Sequence, residues 1–89
     1  SSFLYCLNIV TQLTQKEMDV LDLISQGYTR TQICEMRCVE LSTVKTQIHN
    51  ILKKFDCTSM SEVVAQIKET QVFEYIRNIS GSLKKGERL

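Results

Sequence analysis

Residues 14–32, TQKEMDVLDLISQGYTRTQ, hold two helix starts separated by one helix stop. The segments TQKE at 14–17 and TRTQ at 29–32 have the spacing of a capping box, in which a hydroxyl and a Glu or Gln side chain each bind the other residue's backbone N–H. Gly27 lies between them, and glycine readily adopts the left-handed conformation that ends a helix. The stretch therefore predicts two short helices joined by a tight turn.

Apolar residues at helical spacing extend this pattern toward the C-terminus. The second helix is predicted to turn Ile33 and Met36 inward. A third helix is predicted over about residues 42–55, with an apolar stripe made of Leu41, Val44, Ile48, Ile51, Leu52 and Phe55. A third box, SMSE at 59–62, opens a fourth helix whose buried side is predicted to hold Val63, Val64 and Ile67. Short helices with tight connections must cross steeply, as in a helix-turn-helix domain.

The composition supports an all-α fold in one domain. The chain has 89 residues, no proline and three glycines, so it lacks the turn formers that a small β-sandwich needs. Residues 13–73 are expected to form the helix-turn-helix domain, and residues 1–12 a linker or a packing arm. Residues 74–89 are expected to form a C-terminal extension that is partly disordered. Apolar spacing there predicts one more short helix over about residues 72–79.

No segment indicates secretion or a membrane span. Residues 3–10 are apolar but short, without a basic leader or a small-residue cleavage site. A membrane span needs about 20 apolar residues, and no run approaches that length. We therefore expect a cytoplasmic protein without membrane contact, whose four cysteines are reduced, partly buried thiols.

The polar face of the third helix is the candidate functional surface. The net charge of the chain is only +1, but residues 41–55 contain three lysines and no acid. A helix in the major groove needs hydrogen-bonding and basic side chains without carboxylates facing the phosphates. Base contacts are predicted at Lys45, Thr46 and His49. Backbone contacts are predicted at Ser42, Thr43, Asn50, Lys53, Lys54 and Arg30. A helix face that only meets water has the same composition. The arrangement of the preceding helices must therefore distinguish a DNA-binding face from a solvated one.

Several motifs together resemble one family. They are Leu13-Thr14-x-x-Glu17-x-x-Val20-Leu21-x-Leu23-Ile24-x-x-Gly27, Ile33-Cys34, Thr43-Val44-Lys45-Thr46 and Ile51-Leu52-Lys53-Lys54-Phe55. Over about residues 13–73 the chain is similar to the LuxR/GerE-type helix-turn-helix domain of NarL/FixJ-class response regulators. The resemblance implies a four-helix domain that binds double-stranded DNA in bacterial transcription regulation. It also implies homodimers through the fourth helix, and base contacts at Lys45, Thr46 and His49. Apart from the resemblance, the apolar residues at 3–10 and 72–79 are expected to serve dimerisation or the docking of a partner.

The chain departs from the family pattern at three positions. Glu40 occupies the usual Ser or Thr cap of the recognition helix, and Ser42 is an alternative cap two residues later. Arg37 replaces a buried leucine of the turn and is expected to point outward or to reach a phosphate. Gln71 replaces the glycine that usually follows the fourth helix. These changes indicate a divergent member.

Other functions have weaker support in the residues. Cys34, Cys38, Cys57 and His49 are zinc-ligand types, but close pairs such as C-x-x-C are missing, so no metal or cofactor is predicted. No nucleophile-base set or phosphate loop indicates an enzyme. Two alternatives to sequence-specific DNA binding by a transcription regulator remain. One is a helix-turn-helix module for protein–protein contact, and the other is a promoter-reading domain like that of sigma factors.

Overall fold

The structure, a computed structural model, describes residues 2–86 and the side chains of residues 2–79. This part of the chain contains helices and turns and no strand, which confirms the all-α prediction. In chain order the helices are α1 (Ser2–Val10), α2 (Gln15–Ser25), α3 (Arg30–Arg37), α4 (Leu41–Phe55), α5 (Met60–Thr70) and α6 (Val72–Gly86). The four predicted helices of the helix-turn-helix domain are α2 to α5.

Both predicted capping boxes in residues 14–32 are present. The Thr14 hydroxyl accepts from the Glu17 amide at 3.1 Å, and the Glu17 carboxylate accepts from the Thr14 amide at 3.0 Å. Thr29 and Gln32 make the same exchange at 3.2 and 2.8 Å. Each box satisfies two amides that have no partner inside the helix, so each sets the start of its helix.

Gly27 ends α2 as predicted, with φ at +101°. The Tyr28 amide donates to the Leu23 carbonyl at 3.2 Å and the Gly27 amide to the Ile24 carbonyl at 2.9 Å, the two bonds of a Schellman motif. A Cβ atom at Gly27 would meet nothing within 4 Å. The backbone angle, rather than lack of space, therefore favours glycine here.

Three further helices end in left-handed residues that are not glycine. Cys38, Asp56 and Gln71 have φ values of 55°, 54° and 58° at the ends of α3, α4 and α5. The turn of the helix-turn-helix motif is thus made by Cys38, without Gly or Pro. A residue with a Cβ is strained in this conformation, so each of these ends lowers stability relative to glycine.

The third capping box is only half formed. The Ser59 hydroxyl accepts from the Glu62 amide at 3.4 Å. The Glu62 carboxylate, however, accepts from the Thr58 amide at 3.2 Å and the Thr58 hydroxyl at 3.3 Å, instead of the Ser59 amide. The predicted start of the helix is correct, but the Glu62 carboxylate bonds to the amide of the residue before the cap instead of to the amide of the cap itself.

The core takes one stripe from each helix, with α4 in contact with α2, α3 and α5. The stripe of α4 is confirmed at Val44, Ile48, Ile51 and Phe55, which are buried. The prediction for Leu41 is wrong, since its side chain is 41% exposed. Helical side chains lean toward the N-terminus, so the first residue of α4 projects past the helix start instead of onto the stripe.

The inward face of α3 differs from the prediction. Ile33 is buried, but Met36 is 52% exposed, so its predicted burial is wrong. Arg37 takes the inward position instead, and its guanidinium donates to the Asp19 carboxylate of α2 at 3.2 Å. This ion pair also corrects the expectation that Arg37 points outward or reaches a phosphate. In α5, Val63 and Ile67 are buried as predicted, and Val64 is half-buried.

Helices at both ends pack on the four-helix unit. The sequence predicted no helix at Ser2–Val10, yet α1 forms there and buries Cys6, Ile9 and Val10. It rests mainly on α5, and the Cys6 thiol donates to the Gln66 side chain at 3.6 Å. Residues 3–10 have no capping residue and no charge pattern typical of a helix, so the local sequence did not predict α1. Such a short helix depends on its tertiary contacts for stability.

Helix α6 is longer than predicted and runs to Gly86. Its first turn buries Val72 and Phe73, and the Tyr75 ring meets the Phe3 ring of α1 edge-on at 5.2 Å. Farther along, Arg77 forms an ion pair with Asp22 of α2 at 2.9 Å. The last residues of the predicted disordered extension, 87–89, lie outside the described residues.

One charged residue is buried in the described core. Glu17 is 5% exposed, and its carboxylate accepts from Lys54 Nζ at 2.6 Å as well as from the Thr14 amide. The same ammonium donates to the Gln12 carbonyl at 3.1 Å. Burial alone would raise the pKa of Glu17, but the bonds from Lys54 and Thr14 outweigh it and leave the pKa below its usual value. This contact joins the end of α4 to the start of α2.

We predict that Gln71→Gly stabilises the protein by about 0.5–1 kcal/mol, because glycine relieves the left-handed strain at the end of α5. The gain is smaller than the strain itself, because glycine also increases the entropy of the unfolded chain. Urea unfolding measures the difference. The control is Lys68→Gly, an exposed site inside α5, which should lose about 1 kcal/mol. Equal effects of the two substitutions would contradict the role assigned to Gln71.

We predict that Glu17→Gln lowers the free energy of unfolding by about 1–3 kcal/mol at pH 7, because Lys54 loses a charged acceptor. A carboxyl group with a lowered pKa in the folded state stabilises above its unfolded pKa of about 4.3 and loses that contribution as pH falls through the folded value. The gap between wild type and variant should therefore narrow below about pH 4.

Urea unfolding between pH 3 and 7 measures that gap. Glu69→Gln, which removes an exposed carboxylate on α5, should change stability by less than about 0.5 kcal/mol throughout. A constant gap between wild type and Glu17→Gln over the whole pH range would show that the carboxylate charge does not stabilise the fold.

Candidate nucleic-acid interface

Helix α4 presents one polar face opposite its buried stripe. Six predicted contact residues are exposed on or beside that face, and Asn50 is half-buried: the exposed six are Ser42, Thr43, Lys45, Thr46, His49 and Lys53. Lys45 and His49 are four residues apart, so they lie one above the other on the helix surface. The burial of Val44, Ile48 and Ile51 fixes the rotation of α4 and hence the direction of this face.

The start of α4 answers the question of its cap. The helix begins at Leu41, and Glu40 takes the N-cap position with extended φ and ψ of −77° and 154°. The Glu40 carbonyl accepts from the Thr43 and Val44 amides at 3.1 and 3.3 Å, but its carboxylate makes no capping hydrogen bond. Ser42 is therefore the second helical residue, and α4 begins without a side-chain cap.

The Thr46 hydroxyl is already used inside α4. It donates to the Ser42 carbonyl one turn earlier at 2.9 Å. A hydroxyl bonded in this way keeps its oxygen as an acceptor, but its proton is no longer available to an external group. Thr46 can thus offer a ligand its methyl group and one acceptor.

Two cations near the face are tied to carboxylates. Lys54 binds Glu17 and Gln12, and its side chain is 31% exposed. Arg37 binds Asp19. The sequence predicted that the Lys54 ammonium contacts the DNA backbone, but in this structure that ammonium is bound within the fold. The Arg37 guanidinium is bound within the fold as well. The side chains of Lys45 and Lys53 on α4 have no such partner among the described residues.

Arg30 lies at the first position of α3, next to the N-cap residue Thr29. Its side chain is exposed and lines an open groove together with Ile48 and Leu52 of α4 and Met60 of α5. Arg30 is therefore near the flank of α4 that carries Ile48 and Leu52. The charge of Arg30 can act on a polyanion that reaches both α3 and α4.

The four cysteines are free thiols, at Cys6, Cys34, Cys38 and Cys57. Burial, reinforced by the nearby Glu62 carboxylate, raises the pKa of the Cys57 thiol above its ordinary value, which keeps it protonated near neutral pH. In the described part of the chain, no three His, Cys, Asp or Glu side chains are placed to hold a metal ion. Nor does any described helix have the length and apolar character that a membrane crossing requires.

The ion pairs of Arg37 and Lys54 are the features that sequence reasoning missed. Asp19 and Arg37 are 18 residues apart and Glu17 and Lys54 are 37 apart, so no local spacing links them. One signal was available for Glu17. It occupies the reciprocal position of a capping box beside apolar residues, where a carboxylate is drawn toward the core and needs a cation.

The sequence of this chain is similar to that of a known protein family. The family model described as "Bacterial regulatory proteins, luxR family" matches residues 11–67, more than half of the chain. The match runs from the turn before α2 into α5, so it includes all of α4 and the capping motifs at 14–17, 29–32 and 59–62. No solved structure matches the chain.

Curated relatives are similar over the same region. The chain is similar to the response regulator protein VraR of Staphylococcus aureus, of Staphylococcus saprophyticus and of Staphylococcus epidermidis. In each case 36% of the residues are identical over 52 residues, which are 58% of this chain and 25% of the relative. The chain thus spans about a quarter of the length of these relatives. Together with the family match, this confirms the resemblance inferred from the sequence.

The chain belongs to the luxR family of bacterial regulatory proteins, and it forms the helix-turn-helix domain through which that family binds DNA and regulates transcription.

Proposed function

We propose that this domain binds specific duplex sequences by placing the polar face of α4 in the major groove, as part of a transcription regulator in the bacterial cytoplasm. The observation that carries the proposal is the exposed set of Lys45, Thr46 and His49 on α4, opposite a buried stripe that fixes the helix. The major groove admits one α-helix and shows each base pair a distinct pattern of donors, acceptors and methyl groups.

Each of the three residues suits a different base edge. Lys45 donates to O6 and N7 of guanine, the acceptors that basic side chains prefer. Thr46, whose hydroxyl proton is held by Ser42, offers its methyl group to a thymine methyl or its oxygen to an amino group. His49 has one ring nitrogen that donates and one that accepts when neutral, so it can bind either type of edge.

Phosphate contacts belong to the residues around these three. They position the helix without reading sequence, and we assign them to Ser42, Thr43, Asn50, Lys53 and Arg30. Lys54 is left out of this set because its ammonium is bound to Glu17 and Gln12. With so few free cations, a single domain should bind weakly and lose affinity steeply with salt.

Pairing of two copies would raise the affinity for DNA above the weak affinity expected of a single domain. The family relation favours α5 as the dimer contact, and α5 carries a shallow, open groove lined by Ile24, Met60, Ser61, Val64 and Ala65. Two linked domains bind paired half-sites far more tightly than either binds alone. The relatives are named response regulators, so we further infer that the domain is the output part of such a regulator.

The deciding experiment is selection of bound sequences from a random duplex pool at moderate salt. The proposal expects an enriched inverted repeat whose half-sites each fit one copy of α4. An enriched sequence without symmetry would retain DNA reading and reject the dimer. No enrichment would reject sequence-specific binding and favour the protein–protein module.

We predict that Lys45→Ala weakens binding to the selected site by about 1–3 kcal/mol, because a bidentate base contact is lost. The measurement is the Kd by fluorescence anisotropy on the selected site and on sites changed at single base pairs. The matched control is Lys16→Ala, an exposed lysine on α2, which should leave the Kd nearly unchanged. A uniform loss on all sequences would reassign Lys45 to phosphate contact.

We predict that Ala65→Glu weakens binding to the full inverted repeat much more than binding to a single half-site. Ala65 is exposed on α5, so the substitution places two like charges in the proposed dimer contact without opening the core. Half-site affinity serves as the control for folding and for the interface of α4. If the full site and the half-site lose the same factor, α5 is not the dimer contact.

A further inference from the structure

The recognition helix carries a negative charge where it would meet DNA. Glu40 is the only acidic residue between Met36 and Phe55. Its side chain is exposed, it stands at the N-cap of α4, and no described side chain forms an ion pair with it. No hydrogen bond or ion pair in the part of the chain that the structure describes uses this carboxylate, and the Thr43 and Val44 amides bond to the Glu40 carbonyl instead.

The helix start would otherwise attract phosphate. The first amides of a helix have no acceptor inside it, and the helix dipole adds a partial positive charge at the same end. Phosphate groups bind readily at such ends. A carboxylate at the N-cap offsets this partial charge and repels a phosphate that approaches the Leu41 and Ser42 amides.

The effect of the Glu40 carboxylate on DNA affinity is larger when few unpaired cations lie near α4. Arg37 and Lys54 are neutralised by Asp19 and Glu17. Lys45 and Lys53 remain on α4, with Arg30 on its flank. One unpaired carboxylate therefore offsets a third of the positive charge that these three side chains supply.

We propose that Glu40 limits affinity by repulsion: it weakens the phosphate contacts of the α4 start on every duplex, so that a single domain binds DNA only weakly and high occupancy depends on a second copy. This inference rests on the proposed function. It differs from base reading, because a repulsive charge at the backbone acts on all sequences alike.

The test compares Glu40→Gln with wild type on two probes, the selected inverted repeat and a mixed-sequence duplex of equal length, between 50 and 200 mM KCl. We expect Glu40→Gln to bind both probes more tightly by a similar factor of about 3 to 10, and its salt slope to steepen by about 0.9, the value for one phosphate charge. The gain should therefore be larger at 50 mM than at 200 mM. Glu69→Gln, with the same charge change on α5, should give no comparable gain.

Three outcomes would overturn the inference while DNA binding stands. Weaker binding of Glu40→Gln to the selected site alone would make Glu40 a base-reading residue. An unchanged Kd on both probes would show that the carboxylate does not approach phosphate. A gain with Glu40→Ser but none with Glu40→Gln would assign the effect to helix capping. Failure of wild type to bind either probe at 50 mM KCl would instead reject the proposed function.

Discussion

Burial of one stripe of α4 is the constraint on which the other helices depend. Val44, Ile48, Ile51 and Phe55 are each at most 3% exposed, and α2, α3 and α5 all pack against the helix that carries them. Because the buried stripe fixes the rotation of α4, it also fixes which residues face solvent. The direction of the candidate surface, with Lys45 and His49, is thus a result of core packing, because a close-packed interior holds the helix in one orientation.

The ion pairs around α4 connect this packing to the charge of the surface. Glu17 closes the capping box of α2 and also binds Lys54, so one carboxylate organises the start of one helix and the end of another. The pair matters most to Glu17, because its buried carboxylate would be costly without a cation, whereas the Lys54 side chain is 31% exposed. As a consequence, Lys54 contributes to the fold, while the neighbouring Lys53 forms no ion pair with the described residues. Charge counts along a sequence therefore overstate the charge that an interface can use.

Local rules predicted the parts of the fold that depend on neighbouring residues. The boxes at Thr14 and Thr29, the stop at Gly27 and the stripe of α4 all follow from contacts within one or two turns. Helix α1, the inward turn of Arg37 and the exposure of Met36 depend on residues far away in the chain, which spacing cannot show. Most of the polar side chains predicted to contact DNA are exposed, but Asn50 is half-buried and the Lys54 ammonium binds Glu17 and Gln12. That the exposed ones contact DNA stays a prediction. The sequence alone could not decide between Glu40 and Ser42 as the cap, because both are compatible with the helical pattern.

The left-handed residues at the helix ends have a consequence for how such a domain can change over time. Cys38, Asp56 and Gln71 each hold a conformation that glycine adopts with less strain, and none of them is on the polar face of α4. Proteins close to their stability threshold tolerate new surface residues only when stability is recovered elsewhere. Here stability can be recovered at helix ends that lie outside the polar face of α4. A lineage that carries this domain can therefore change that face and the stability of the fold by separate mutations, and neither change blocks the other.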